Sequence, residues 1–230
     1  MSIKTKVQKL IRVINKDPYV IKVQRRKKCR IMGGEYGGFG VCLSMVPING
    51  VVYSFGIGED MSFDIDIKKE KDVALFAFDP TPKSISWYER QNFGEKFSFY
   101  PYGISNYDGE EKFYLPLNEE YVSGSVICGE DKNESAVIVE MKSLDSIMKS
   151  LNHKKIDVLK MDIEGSEYKV IDDILSKDIC FSQLCIEVHS RFFDDGVKKT
   201  REMIKKLNDK GYYITYVSDT FEELTFCKFK

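Results

Sequence analysis

Residues 156–174 read IDVLKMDIEGSEYKVIDDI. The apolar run from Ile156 to Met161 stops at three acids, Asp162, Glu164 and Glu167, with Gly165 among them. A six-residue run bounded in this way has the length of a buried strand. The segment that follows spaces its apolar residues as a helix does, and an acid in a first helical turn suits the helix dipole. Strand, turn and helix make the repeating unit of an α/β fold, whose ligands bind beyond the carboxyl ends of the strands. The acids stand at such an end. The dipole accounts for Glu167 and the turn for Gly165. Asp162 is left facing the cleft, where it can bind a cationic cofactor, hold a divalent metal together with Glu164, or orient a substrate hydroxyl. Two carboxylates without a third ligand do not make a metal site, so no metal is assigned.

The same rhythm runs outward from this block. GVVYSF (50–55), VALFAF (73–78), FSFYPYGI (97–104), QLCIEV (183–188), YYITYV (212–217) and LTFCKF (224–229) read as further strands. Helical patterns lie between several of them: SFDIDIKKEK, PKSISWYERQ, SLDSIMKSL and GVKKTREMIKKLND. In the last, Val197, Thr200, Ile204 and Leu207 fall on one face. Alternation of this kind predicts a parallel sheet with helices on both faces. The final two strands are joined by only SDTFEE, too short for a crossover helix, so that pair is antiparallel.

Ahead of the sheet, Val7, Leu10, Ile11 and Ile14 predict a helix ended by Asp17-Pro18. CRIMGGEYGGFGVCLSM then reads as a β-hairpin or as a Gly-rich loop beside a strand. Residues 106–142, with the weak strands EKFYLPL and AVIVEM, read as an insertion. The chain divides into an N-terminal extension, 1–47, and one domain, 48–230.

With 230 residues, 31% charged and 43% hydrophobic, the composition is that of a soluble globular protein with a full core. No apolar run approaches the length of a membrane span, and the N-terminus lacks the apolar block of a signal peptide. Six cysteines show no CxxC pair, which predicts reduced, buried thiols and a cytoplasmic protein. The net charge of −1 points to no nucleic-acid partner. Residues 1–30 nevertheless hold eleven Lys or Arg against one acid, densest in QRRKKCR (24–30). No aromatic residues interleave there as nucleic-acid stacking needs, so a solvated basic extension is expected, with weak contact to an acidic membrane surface as the functional alternative.

Three more strand ends bear on function. Gly56 and Gly58 in YSFGIGEDMSFD let the backbone turn tightly and approach a ligand, although the third glycine of GxGxxG is missing. Asp79 ends VALFAF, 21 residues after Gly58, where a carboxylate accepts hydrogen bonds from a ribose. Its structural alternative is a turn or cap before Pro80 and Pro82. His189 ends IEVHSRF, and an imidazole there can take a proton from a hydroxyl near neutral pH. The other histidine, His153, sits among charged residues and is expected to be solvated.

These blocks together resemble the FkbM-type, S-adenosylmethionine-dependent methyltransferases. The resemblance rests on YSFGIGEDMSFD, AFDPTPKSISW, YPYGISNYDGE, the Leu-Asp of MKSLDSI, DVLKMDIEGSEYKVI and LCIEVH, in order through residues 50–189. GGEYGGFGVC also looks like a glycine-rich segment of some members, but Tyr36-Gly37-Gly38-Phe39 lacks its acid. The resemblance implies a class I methyltransferase (Rossmann-like) fold, with seven strands of which the last is antiparallel. It implies that Phe55, Gly56 and Gly58 belong to the cofactor loop, that Asp79 binds the ribose, that Ser105 lies near the adenine, and that Asp162 faces the methionine end. His189 or Asp162 is then the general base and Glu164 positions the acceptor, a hydroxyl on a sugar or glycan precursor. Tyr107, Phe113, Tyr114 and Tyr121 either stack on that sugar or belong to the core. A nicotinamide-dinucleotide oxidoreductase or epimerase needs a similar glycine turn and acid. A non-catalytic cofactor-binding protein of a surface-polysaccharide pathway is the other alternative.

Overall fold

The computed structural model describes residues 14, 17–34, 38–93, 97–115 and 135–229. Seven strands form the central sheet: β3 (Gly50–Phe55), β4 (Val73–Phe78), β5 (Ser98–Tyr100), β9 (Ile156–Met161), β10 (Phe181–Glu187), β11 (Tyr212–Val217) and β12 (Glu223–Lys228). Their order across the sheet is β11-β12-β10-β9-β3-β4-β5. The pairs β10–β9, β9–β3, β3–β4 and β4–β5 are parallel, and β12 runs antiparallel to both β10 and β11. The expected antiparallel last strand is therefore present, inserted between its two predecessors.

Alternate residues of the central strands feed two cores, as the period of a strand requires. Tyr53, Phe55, Leu159 and Met161 point to one face. They pack against α3 (Leu144–Ser150), α4 (Glu167–Ser176) and α5 (Gly196–Asp209), through Ile147, Ile171, Ile174, Met203 and Leu207. Val52, Leu75 and Val158 point to the other face and meet Phe63 and Ile67 of α1 (Ser62–Glu70). Trp87 and Tyr88 of α2 (Pro82–Arg90) pack against the same cluster. Each fully buried side chain of this size stabilises by about 1.5–3 kcal/mol.

β1 (Arg30–Met32) and β2 (Phe39–Val41) form the expected hairpin, antiparallel and laid on the second core. Gln183 of β10 fastens it: its Oε1 accepts from Cys42 N at 2.8 Å and its Nε2 donates to Cys42 O at 3.1 Å. The expected N-terminal helix lies outside the described residues, apart from Ile14.

Four expectations are corrected. FSFYPYGI is not one strand: Pro101 has no N–H for a ladder, and the chain leaves the main sheet there. Residues Gly103–Ser105 become β6 of a separate sheet, ordered β6-β8-β7, with β7 (Gly109–Leu115) and β8 (Ser135–Ser143). His153 is half-buried rather than solvated, with Nδ1 2.8 Å from the Tyr53 hydroxyl and its ring against Phe76. Cys180 is exposed, whereas Cys42, Cys185 and Cys227 are buried; all five described cysteines are free thiols. The basic stretch is not wholly solvated. Arg25 stacks on Tyr213 and Phe229, and Gln24 exchanges hydrogen bonds with Ile214 on the edge strand β11. The aromatic partners come from the other end of the chain, so they were invisible locally.

Candidate functional site

A cleft of about 410 Å³ opens at the carboxyl ends of β3, β4 and β9. On one wall lie Phe55, Gly56, Gly58 and Asp79; on the other lie Asp162 and Glu164. The structure thus brings together these six residues singled out in the sequence. Ser105 is buried and does not line this cleft, although Gly103 and Ile104 just before it do. Phe113 lines the cleft from β7, while Tyr107 is exposed and Tyr121 lies outside the described residues.

The turn after β3 is built by glycine. Gly56 has φ +73°, and a Cβ there would overlap the carbonyl oxygen of Asp162. The same seam is closed by Asp162 N–H donating to Phe55 O at 3.1 Å and by Lys160 Nζ donating to Gly56 O at 2.6 Å. Lys160 is a buried cation inside a run that reads as apolar.

Asp79 is held from both sides. Its Oδ2 accepts from Gly58 N at 3.0 Å; its Oδ1 accepts from Thr81 N at 2.9 Å and from Thr81 Oγ1 at 2.7 Å. Thr81, not Asp79, caps α2, so the capping alternative falls to its neighbour. Asp79 fixes the glycine turn and remains on the cleft wall.

Behind the opposite wall lies a cluster centred on His189, which follows β10 and is buried rather than lining the cleft. His189 Nε2 lies 3.2 Å from Glu164 Oε2, 3.4 Å from Glu187 Oε1 and 3.8 Å from Asp162 Oδ1. Its Nδ1 is 2.7 Å from Glu167 Oε1, which also accepts from Gly165 N at 3.0 Å. Glu167 is fully buried, so the helix dipole explains only part of its presence. Glu164 has φ +51°, a left-handed conformation costly for a residue with a side chain and characteristic of functional sites. Asp162, Glu164 and His189 each offer a ligand atom, all within 4.8 Å of one another.

The electrostatics follow from this crowding. Burial alone would lower the His189 pKa, but the hydrogen bond to Glu167 and the charges of Glu167, Glu164 and Glu187 outweigh it and push it up to about 9. Burial and the charge of Asp162 push Glu187 up to about 8. Burial also raises Asp162, against the pull of Lys160 and His189. The acids around His189 thus keep it protonated at neutral pH. Glu187 and Lys160 were missed in the sequence. Glu187 lay two residues before His189, where strand alternation returns a side chain to the same side.

The strand order, the glycine turn and the acid at the end of β4 define a class I methyltransferase-type α/β protein. The family model for the methyltransferase FkbM domain matches residues 53–214, and the chain belongs to that family. It is 26% identical over 141 residues to the human "Probable methyltransferase-like protein 24", covering 60% of this chain and 32% of that protein. It is 34% identical over 76 residues to "Uncharacterized protein 65" of a Sulfolobus islandicus filamentous virus, covering 33% of this chain and 42% of the other. Among solved structures, the FkbM methyltransferase of Methylobacillus flagellatus superposes with a TM-score of 0.51 at 15% identity, over 99% of this chain and 56% of that one. The chain therefore spans about a third of its human relative and somewhat more than half of the solved one.

Proposed function

We propose that the protein transfers a methyl group from S-adenosylmethionine to a hydroxyl of a sugar or glycan precursor. The observation that carries this reading is a single cleft with the glycine turn and Asp79 on one wall and Asp162 and Glu164 on the other, the buried His189 standing behind that second pair. The residues fit the cofactor: Asp79 presents a carboxylate to ribose hydroxyls, and Asp162 offers negative charge to a sulfonium. When bound, the cofactor supplies an activated, electrophilic methyl group. The work left to the protein is to align an oxygen nucleophile and receive its proton.

Asp162 reaches the cleft and is assigned the proton-accepting role. Glu164 orients the acceptor, and His189, anchored by Glu167, holds both carboxylates in place. An imidazolium is a donor, which favours Asp162 over His189 as the base. A cluster of acceptors suits a hydroxyl substrate, and exposed Tyr107 offers a face on which a sugar can stack. The five free thiols among the described residues fit a reducing, cytoplasmic setting. Among the described residues, no helix is long and apolar enough to cross a membrane.

The test begins with thermal unfolding in the presence of S-adenosylmethionine, S-adenosylhomocysteine and NAD. A ligand at 100 times its dissociation constant adds about 2.7 kcal/mol of stability. Both adenosyl ligands are expected to stabilise the protein, Asp79→Asn to abolish the effect, and NAD to do nothing. Asp162→Asn, which removes the base, is expected to lower methyl transfer to sugar acceptors by about 10²–10⁴-fold, and His189→Gln to lower turnover with cofactor affinity unchanged. Stabilisation by NAD alone would overturn the reading. Loss of turnover and cofactor binding together in His189→Gln would overturn the positioning role of His189.

A further inference from the structure

We propose that Cys42 and Cys227 are a redox modification site: a hydroperoxide joins them in a reversible disulfide, entering at the half-buried thiol of Cys29. None of the three residues lines the cleft at the ends of β3, β4 and β9, and the test does not depend on methyl transfer.

Three observations converge. The first is proximity. Cys227 Sγ stands 3.5 Å from Cys42 Sγ. Thr215 Oγ1 lies 3.3 Å from Cys227 Sγ, 3.7 Å from Cys42 Sγ and 3.8 Å from Cys29 Sγ, so three thiols gather around one hydroxyl. They come from distant parts of the chain: Cys29 precedes β1, Cys42 follows β2 and Cys227 lies on β12. Cys42 and Cys227 are fully buried, whereas Cys29 is partly open to solvent.

The second is the rigidity of the frame. The Gln183 fork holds the Cys42 backbone, through its N–H and its carbonyl, to β10. Cys227 is paired on both sides, opposite Gln183 on β10 and Tyr213 on β11. Sulfurs held this close reach a bond of about 2 Å by small side-chain rotations.

The third is the division of protons. Hydrogen bonds from Cys227 and Cys29 hold the Cys42 thiol below its ordinary range in spite of burial, and the charge of Lys27 acts in the same direction. The same hydrogen bonds, with burial, push Cys227 and Cys29 up. The cluster therefore contains a nucleophilic thiolate and two proton donors, the set that thiol oxidation and exchange require.

The reaction balances within the cluster. The Cys29 proton passes to Cys42, and the Cys29 thiolate attacks the hydroperoxide. An S–O bond forms, the O–O bond breaks, and the leaving alkoxide takes the proton from Cys42. The Cys42 thiolate then attacks the Cys29 sulfenic acid; an S–S bond forms, and the departing hydroxide takes the Cys227 proton to become water. The Cys227 thiolate attacks the Cys42 sulfur and releases Cys29 as a thiolate. Two cysteines are oxidised, and one hydroperoxide is reduced to an alcohol and water.

The full chain is treated with hydrogen peroxide, its remaining thiols are alkylated, and a non-reducing digest is mapped by mass spectrometry. A cross-linked pair of peptides carrying Cys42 and Cys227 is expected, and dithiothreitol should abolish it. This mapping uses the unmutated chain, so it stands whether or not a buried variant folds. Cys29→Ser should slow the cross-link, and Cys180→Ser, which removes the exposed thiol, should leave its rate unchanged. The oxidised chain should unfold at a higher temperature than the reduced one, because the bond closes a loop from residue 42 to residue 227 in the unfolded chain. Cys42 and Cys227 left alkylatable after denaturation, or a final cross-link between any other cysteines, would overturn the site. An unchanged rate in Cys29→Ser would overturn the entry role of Cys29.

Discussion

Asp64 shows how a single residue of this fold registers pH. Its carboxylate is buried on α1, and burial pushes its pKa up to about 6 against the Lys160 ammonium and the Ser54 hydroxyl. Asp60 adds to the rise, and Tyr88 feels the charge of Asp64 in turn. A folded-state pKa above the unfolded value gives stability that is complete below about pH 4 and is lost as the pH climbs through 6. A shift of about two units at about 1.4 kcal/mol each sets the scale at about 3 kcal/mol. Relative to Asp64→Asn, the parent should therefore lose up to about 3 kcal/mol between pH 4 and pH 7 in urea titrations. A flat difference across that range would mean that Asp64 is solvated. At this scale the positions of strand ends were legible in the sequence, although His189 proves buried rather than on the cleft wall. Asp79, Asp162 and His189 were found because their positions follow from alternation and length. Lys160 and Glu187 were not, because one polar residue inside an apolar run carries no local sign of what it faces.

Among the elements, the turn between β3 and α1 is the most constrained. The left-handed φ of Gly56 costs any other residue about 1–3 kcal/mol, and a Cβ would also displace the Asp162 backbone. Gly56→Ala is expected to destabilise by about 3 kcal/mol or more in equilibrium unfolding. Gly34→Ala, where a Cβ finds open space beside Ser62 Oγ, should stay within about 0.5 kcal/mol. Equal effects would show that the turn tolerates rearrangement. The strands and helices around this turn were legible because strand length, helical period and the short link before β12 each restrict the geometry. The break between β5 and β6 was not. Pro101 marked it, but the destination of β6, a ladder with β8, depends on residues some 40 positions away.

For the whole molecule, the order of the strands places β3 beside β9 at the centre of the sheet. The class of fold could be read from that alternation. The docking of the hairpin could not, since the Gln183–Cys42 fork joins residues 141 apart. The meeting of the two walls, which the resemblance implied, has a thermodynamic consequence. The backbone of Asp162 and the turn at Gly56 share one hydrogen-bonded seam, with the Lys160 ammonium lying across it. A ligand that tightens one wall alters the other, so occupancy on the two sides should be cooperative, and linkage makes the effect equal in both directions. If an acceptor sharpens S-adenosylmethionine affinity by some factor, the cofactor must sharpen acceptor affinity by that same factor. Calorimetric titrations in both orders measure it, and a factor of one in each would mean that the seam is rigid and the two sites are independent.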